Sequence, residues 1–311
     1  MRVLITGAAG FLGSHLVDWY LKHDHLVIGI DNLSTGSIEN LSGALTNQNF
    51  RFLEMDVTTP YSFDVDLILN FACPASPVHY QLTPIETLKT SILGTLNALE
   101  LCRETGARLV QASTSEVYGD PDVSPQKEDY VGRVNPNGPR ACYDEGKRAA
   151  ETAIYDYIRI YDLDVRVMRV FNTYGPRMAI DDGRVVSNFL VAALNGEPIT
   201  IYGDGLQTRS FCYVSDTISG AIAIASTSER PISPVNIGNP HEMTMLELAQ
   251  QCLRLTSSTS LLEFHELPTD DPKQRCPDIS LAKGILEWYP KVELFEGLTQ
   301  TANYFRRVLG K

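Results

Sequence analysis

Gly7-Ala8-Ala9-Gly10-Phe11-Leu12-Gly13 joins the apolar run Arg2 to Thr6 to an amphipathic stretch from Phe11 to Lys22. Glycines at such a junction let the backbone turn tightly and approach a pyrophosphate. The helix start adds unpaired N–H groups and the positive end of the helix dipole. The spacing is GxxGxxG rather than GxGxxG, and three glycines alone fit a simple turn as well as a dinucleotide site. The next β-branched run ends at Asp31, 18 positions after Gly13. A carboxylate there can accept both ribose hydroxyls and would repel a 2′-phosphate, which favours NAD over NADP. Gly7, Gly10, Phe11, Leu12, Gly13, Asp31 and Asn32 are therefore the expected cofactor-binding set. Asp56-Val57 closes the third run, where a carboxylate and the following amide could face an adenine edge, or where the Asp could simply cap a loop. Ala72, after the fourth run, is small enough to let a cofactor ribose pass.

The first half of the chain alternates short β-branched runs with longer helical patterns. Arg2 to Thr6, His25 to Asp31, Phe50 to Met55, Val65 to Asn70, Arg108 to Ala112 and Asp164 to Arg169 read as strands. Phe11 to Lys22, Pro84 to Thr105 and Tyr143 to Tyr161 read as helices. Such alternation builds a Rossmann-like doubly wound parallel sheet covered on both faces, with ligand outside the carboxyl ends of the strands. The last two helices are long enough to pack on a partner as well as on the sheet, which predicts a homodimer through a four-helix contact. From about Asn172 glycines and prolines become frequent. Strands Ile199 to Tyr202, Pro234 to Ile237 and Leu262 to Glu266 there sit between helices Val185 to Asn195, Ser215 to Ser226, Thr244 to Thr256, Ser280 to Leu286 and Leu294 to Leu309. The expected α/β organisation is an NAD-binding domain over residues 1–171 and a smaller C-terminal α/β substrate-binding lobe over 172–311, with chain exchange between them allowed.

The 311 residues carry 26 Lys and Arg against 38 Asp and Glu, a formal net charge of −12. That field repels nucleic acid and anionic membrane surfaces alike. No apolar run approaches the ~18 residues needed to span a bilayer. Met1-Arg2 leads directly into Val3-Leu4-Ile5 with no charged n-region or cleavage site, which predicts no export. The six cysteines lack any CxxC and the six histidines any HExxH. No metal or disulfide is expected, and the location expected is cytoplasmic.

Tyr143-Asp144-Glu145-Gly146-Lys147 puts a phenol and an ammonium four positions apart, on one helical face. The ammonium and a positive nicotinamide ring would lower the phenol pKa from about 10 and favour a phenolate able to take a hydroxyl proton. YxxxK alone is commonly a surface pair; behind a glycine-rich NAD loop it predicts Tyr143 as general base and Lys147 as its helper. Ser113-Thr114-Ser115-Glu116-Val117-Tyr118-Gly119 follows the fifth strand, where the Thr114 hydroxyl would meet substrate beside that phenol. The alternative is a strand-end turn capped by hydroxyls.

On these residues the chain resembles the extended short-chain dehydrogenase/reductases and, among them, the UDP-glucuronate decarboxylase group. The similarity runs nearly end to end. Besides GAAGFLGSHL it takes in Ala72-Cys73-Pro74-Ala75-Ser76-Pro77, STSEVYGDP from Ser113, Asn135 to Arg148, FNTYGPRM from Phe171 and DDGRVVSNF from Asp181. It continues through YGDGLQTRSFCYVSD from Tyr202 to Asp271-Pro272-Lys273-Gln274-Arg275-Cys276-Pro277-Asp278. Similar enzymes bind NAD in the first lobe and a nucleoside-diphosphate sugar in the second. The family's 4,6-dehydratases generally read Thr-Asp-Glu where this chain has Thr114-Ser115-Glu116, and 4-epimerases usually lack the glutamate. The serine removes the acid that would protonate a leaving hydroxyl, so the resemblance implies decarboxylation rather than dehydration or epimerisation. A non-catalytic NAD-binding regulator is a further alternative, against which the intact Thr114, Tyr143 and Lys147 speak.

The chemistry implied by the resemblance begins with oxidation of the sugar 4-hydroxyl, hydride passing to NAD while Tyr143 takes the proton with help from Thr114 and Lys147. A C4 ketone makes the substrate a β-keto acid, whose C5–carboxylate bond breaks with its electrons delocalised into an enolate. Thr114 and Tyr143 would hydrogen-bond the C4 oxygen. Ser115 would lie beside the departing carboxylate, and Glu116 or Arg275 would supply the C5 proton, directly or through water. Hydride then returns to C4, giving UDP-xylose and regenerating NAD in place. Pro74, Ser76 and Tyr80 are expected at the glucuronate end, Asn172 and Arg209 at the diphosphate, and Arg184, Tyr202 and Gln207 at the nucleotide. Arg275 is expected to reach the site from the second lobe.

Overall fold

The computed structural model describes residues 1–267 and 274–311. Its first half runs β1 (Arg2–Thr6), α1 (Phe11–Lys22), β2 (Leu26–Asp31), β3 (Phe50–Glu54), β4 (Leu67–Asn70), α2 (Pro77–Leu82), α3 (Pro84–Lys89), α4 (Thr95–Thr105), β5 (Arg108–Thr114), α5 (Ala141–Tyr161) and β6 (Val165–Val170). The second half adds β7 (Thr173–Tyr174), α6 (Val185–Asn195), β8 (Ile199–Tyr202), β9 (Thr208–Ser210), β10 (Cys212–Tyr213) and α7 (Val214–Ser226). It ends with β11 (Val235–Ile237), β12 (Glu242–Thr244), α8 (Met245–Thr256), β13 (Leu262–His265), β14 (Gln274–Arg275), α9 (Ser280–Leu286) and α10 (Leu294–Val308).

One seven-stranded sheet carries the order β11-β6-β5-β4-β1-β2-β3, and every pairing in it is parallel. Successive side chains of a strand face opposite sides, and here both sides are apolar. Val3 and Ile5 of β1 pack with Leu16, Val17 and Tyr20 of α1, while Leu4 between them packs with Ala98, Leu99 and Leu101 of α4 and Ile154 of α5. The chain order reverses at β1. The crevice between the ends of β1 and β4, where the glycine loop meets Ala72, is the place at which open α/β sheets bind ligands.

Two expectations need correcting. Val235–Ile237, expected in the smaller lobe, instead extends the large sheet by pairing with β6; its three residues are all buried. Pro84 to Thr105 is not one helix. Between α3 and α4 the residues Thr90–Gly94 form a π-helical turn. The turn is wedged between neighbours: a Cβ on Gly94 would lie 2.9 Å from Val57 Cγ2, and one on Gly146 of α5 would lie 3.0 Å from Ser91 Cβ. Such turns re-aim a helix where packing leaves no other route.

Beyond β6 the chain also forms the small sheets β12-β9-β14 and β13-β8. The register of β14 on β9 sets Arg275 directly beside Arg209. Among the described residues no helix is long and apolar enough to cross a membrane.

Candidate active site

A cavity of about 530 Å³ opens over the β1 and β4 ends. Gly7, Gly10, Phe11, Leu12, Gly13, Asp31, Asn32, Val57 and Ala72 line it, as do Thr114, Ser115, Glu116, Tyr143 and Lys147. The glycine spacing follows from the packing. Gly7 has φ +68°, and a Cβ there would stand 2.9 Å from the Ala72 backbone; a Cβ on Gly13 would stand 1.9 Å from the Gly7 carbonyl oxygen. Gly10 caps α1 with extended backbone and no side-chain hydrogen bond, and the first turn carries no acidic residue. The N–H groups of that turn are thus left for an anion. Asp31 is buried and accepts from Ala9 N at 2.9 Å and Leu33 N at 2.8 Å. Burial pushes its pKa up while these backbone donors pull it down. This set fits NAD: close backbone, an open helix start and a carboxylate at the end of β2. Asp56 is different. It does not line the cavity, and its carboxylate accepts from Thr58 N at 2.8 Å, Thr58 Oγ1 at 2.7 Å and Asn32 Nδ2 at 3.0 Å, capping the turn after β3.

Tyr143 and Lys147 face the cavity from α5, both buried. The ammonium donates to the Ala112 carbonyl at 2.9 Å and lies 5.8 Å from the centre of the Tyr143 ring. Contrary to the expectation of a lowered pKa, burial drives the phenol well above its ordinary value. The Cys73 thiol and the Glu116 and Asp144 carboxylates act in the same sense, and the hydrogen bond with Thr114 opposes them. The reason is that desolvation disfavours a phenolate more than Lys147, turned toward a carbonyl, can offset. Thr114 Oγ1 also accepts from Glu116 N at 3.1 Å, starting a short 3₁₀ turn over Ser115–Tyr118. Tyr80 stacks on Tyr143, centroids 5.2 Å apart and planes 3° from parallel.

Glu116 is the electrostatic centre. One oxygen, Oε2, accepts from Arg140 at 2.7 Å and from Arg275 at 3.0 Å, and Arg275 also donates to the Ser115 carbonyl at 2.8 Å. Burial raises the Glu116 pKa, but Arg275 and Arg140 outweigh it and hold the carboxyl at about 2. The two guanidinium groups thus favour the ionised form of Glu116.

A second cavity, about 650 Å³, shares Ala75, Glu116, Asn172 and Arg184 with the first. Tyr80, Arg140, Tyr202, Gln207, Arg209 and Arg275 line it. Arg184 forms a two-pronged pair with Asp182 at 2.5 and 2.7 Å and sits 5.6 Å over the Phe11 ring, so it stands between the cofactor loop and the second cavity. Arg209 is mostly buried and donates to the Thr208 carbonyl. Gln207 donates to the Tyr202 carbonyl at 2.7 Å. Pro74 and Ser76 line the first cavity, the Ser76 hydroxyl donating to the Asp182 carbonyl. Asp271, Pro272 and Lys273 of the late motif lie outside the described residues.

Sequence reading missed Arg140 and Arg177, which line the cavities. Arg140 stands three positions before Tyr143, but its bond to Glu116 joins a helix start to a strand end and has no local pattern. Arg177 lines the first cavity in a left-handed backbone conformation, φ +73°, and donates to Asp18 at 2.5 Å. Among the described residues no cluster of His, Cys, Asp and Glu is arranged to hold a metal.

Comparison with known proteins agrees with this geometry. The chain is 51% identical over 311 residues to UDP-glucuronic acid decarboxylase 6 of Arabidopsis thaliana, covering all of this chain and 90% of the relative. It is 52% identical over 308 residues to UDP-glucuronic acid decarboxylase 1 of Danio rerio, covering 99% of this chain and 73% of that protein. The crystal structure of UDP-glucuronic acid 4-epimerase from Bacillus cereus with UDP-glucuronic acid and NAD superposes with a TM-score of 0.90 at 27% identity, over 99% of this chain and 100% of that one. The model of the NAD dependent epimerase/dehydratase family matches residues 3–238. A parallel sheet with a glycine loop at its switch point, a buried Tyr143–Lys147 helix and this match over most of the chain lead to one assignment: the protein belongs to the NAD dependent epimerase/dehydratase family.

Proposed function

We propose that the chain converts UDP-glucuronate to UDP-xylose and CO₂ through a transient 4-keto sugar. Identity of about half the residues to UDP-glucuronic acid decarboxylases over the whole chain carries this reading. The Thr114-Ser115-Glu116 sequence supports it against a dehydratase, which needs an acid where Ser115 stands.

Gly7, Gly10, Gly13 and the start of α1 would hold the pyrophosphate of NAD, and Asp31 with Asn32 the adenosine ribose. When bound, NAD supplies the hydride acceptor and donor for C4 and a positive ring that favours the Tyr143 phenolate. Tyr143 takes the 4-hydroxyl proton and later returns it to the same oxygen. Thr114, already within hydrogen-bond reach of that phenol, steadies the C4 oxygen as charge builds on it. Lys147 fixes α5 against β5 through the Ala112 carbonyl. Glu116 orients Arg275 and Arg140, and Glu116 or Arg275 supplies the C5 proton, directly or through water. Ser115 lies beside the leaving carboxylate, Pro74, Ser76 and Tyr80 wall the sugar, Asn172 and Arg209 take the diphosphate, and Arg184, Tyr202 and Gln207 the nucleotide.

The two-lobed division near residue 171, with β11 returned to the first lobe, is part of the same reading. So is a homodimer: Leu82, Ile85, Leu88 and Leu93 stand exposed along α2 to α4, beside α5, where a four-helix contact would cover them. A cytoplasmic location fits the free thiols of all six cysteines. Incubation of the purified chain with UDP-glucuronate, followed by NMR of the sugar, tests the activity. UDP-xylose is expected, and UDP-galacturonate or unchanged substrate would overturn the reading.

A further inference from the structure

Tyr143 can take the 4-hydroxyl proton only while its oxygen stays within hydrogen-bond reach of that hydroxyl. Thr114 meets the phenol at its oxygen, but a hydrogen bond at the tip does not set the plane of the ring. Lys147 does not set it either: its ammonium donates to the Ala112 carbonyl and stands 5.8 Å from the ring centre.

Tyr80 lies against that ring. The centroids are 5.2 Å apart and the planes 3° from parallel, the offset arrangement that aromatic pairs prefer. Tyr80 is 1% exposed and Tyr143 6%, so both rings are desolvated. Tyr80 is itself fastened on two sides. Its carbonyl accepts from Sγ of Cys142, the residue before Tyr143 on α5, at 3.5 Å, and its N–H donates to the Ser76 carbonyl at 3.0 Å. The Ser76 hydroxyl in turn donates to the Asp182 carbonyl, in the segment before α6. The Tyr80 hydroxyl, by contrast, is buried with no hydrogen-bond partner among the described residues. An unpaired, desolvated hydroxyl costs stability, so the flat ring is the part of this side chain that is in use.

We propose that Tyr80 is a positioning residue for the reaction: stacked on Tyr143, it holds the phenol in the plane from which its oxygen reaches the C4 hydroxyl. The proposal rests on the reading of Tyr143 as the base given above. It needs the face of Tyr80 and not its hydroxyl, and no bond is made or broken at Tyr80.

Tyr80→Phe keeps the face and removes the hydroxyl, whereas Tyr80→Leu removes the face and keeps an apolar side chain. In steady-state assays with UDP-glucuronate, the Tyr80→Phe holoenzyme is expected to turn over on the order of 100-fold faster than Tyr80→Leu, the cost of a base about 1 Å out of place. KM should be similar in the two, with NAD bound in both. Equal kcat, a difference confined to KM, or a loss explained by missing NAD would each overturn the proposal. Tyr80→Leu also alters packing, so a second comparison holds shape constant and decides the matter if Tyr80→Leu does not fold. Pentafluorophenylalanine introduced at position 80 reverses the quadrupole of the ring relative to Tyr80→Phe. An electron-poor face against the phenol favours the phenolate, so the rise of kcat with pH should move to lower pH. Glu116, Asp144 and Lys147 around the phenol are the same in both proteins, so the shift reads the ring contact, and superimposable profiles would overturn it. Wild-type enzyme that forms no UDP-xylose would instead overturn the decarboxylase reading itself.

Discussion

Arg275 donates to Glu116 Oε2 at 3.0 Å across 159 positions of sequence. Its strand, β14, belongs to the three-stranded sheet β12-β9-β14, and Glu116 follows β5 of the seven-stranded one. The same oxygen takes a second bond from Arg140 at the start of α5, so one carboxylate ties the two sheets and α5 together.

Arg275→Ala should therefore lower stability and chemistry at once. Breaking a buried pair leaves an uncompensated charge, worth about 3–5 kcal/mol. Urea unfolding should show a loss of that order, and CO₂ release should fall by more than UDP affinity does. An unchanged denaturation midpoint would contradict the pairing.

The two buried carboxyls impose opposite pH dependences on stability. Glu116 is depressed from 4.5 to about 2 on folding, so its contribution is complete above 4.5 and disappears as pH falls toward 2. Asp144 is raised from 3.8 to about 8, so its contribution is complete below 3.8 and is lost as pH rises through 8. Glu116→Gln should flatten the acid side of a stability profile, and Asp144→Asn the alkaline side. Thermal unfolding from pH 3 to 9 checks both; the same slopes in wild type and variants would refute them.

Tyr143→Phe should abolish turnover while NAD stays bound, because the hydroxyl is needed for the proton and the glycine loop for the cofactor. Activity assays with fluorescence of the bound nucleotide separate the two. Near-normal turnover would remove Tyr143 as the base.

Gly13→Ala should cost both folding and cofactor. Its methyl would sit 1.9 Å from the Gly7 carbonyl oxygen, backbone that cannot swing aside. The expected result is a protein purified without NAD and with a melting temperature several degrees lower; full NAD content would contradict the close-packing account.

The glycine loop and the Tyr143–Lys147 pair were legible in the sequence because a cause of each is local: the clash of a Gly13 Cβ with the Gly7 carbonyl and the helical period. β1 to β6 were legible for the same reason, each an apolar run bounded by turn residues. β5 extends to Thr114 only because Ser113 and Thr114 pair with Arg169 and Val170 of β6. The return of Val235–Ile237 to the large sheet, the π turn beside Gly146 and the Arg140–Glu116–Arg275 bridge depend on partners far away in the chain. So does the raised pKa of Tyr143. A sequence displays the ammonium four positions on, not the burial that outweighs it.

The central claim is that C4 is oxidised before the carboxylate leaves and reduced afterwards within the same site. It is tested most directly with UDP-glucuronate carrying deuterium at C4. The account predicts UDP-xylose with that deuterium back on C4, a transient of bound deuterated NADH and one CO₂ per sugar. CO₂ release with no label ever reaching the nicotinamide would contradict it.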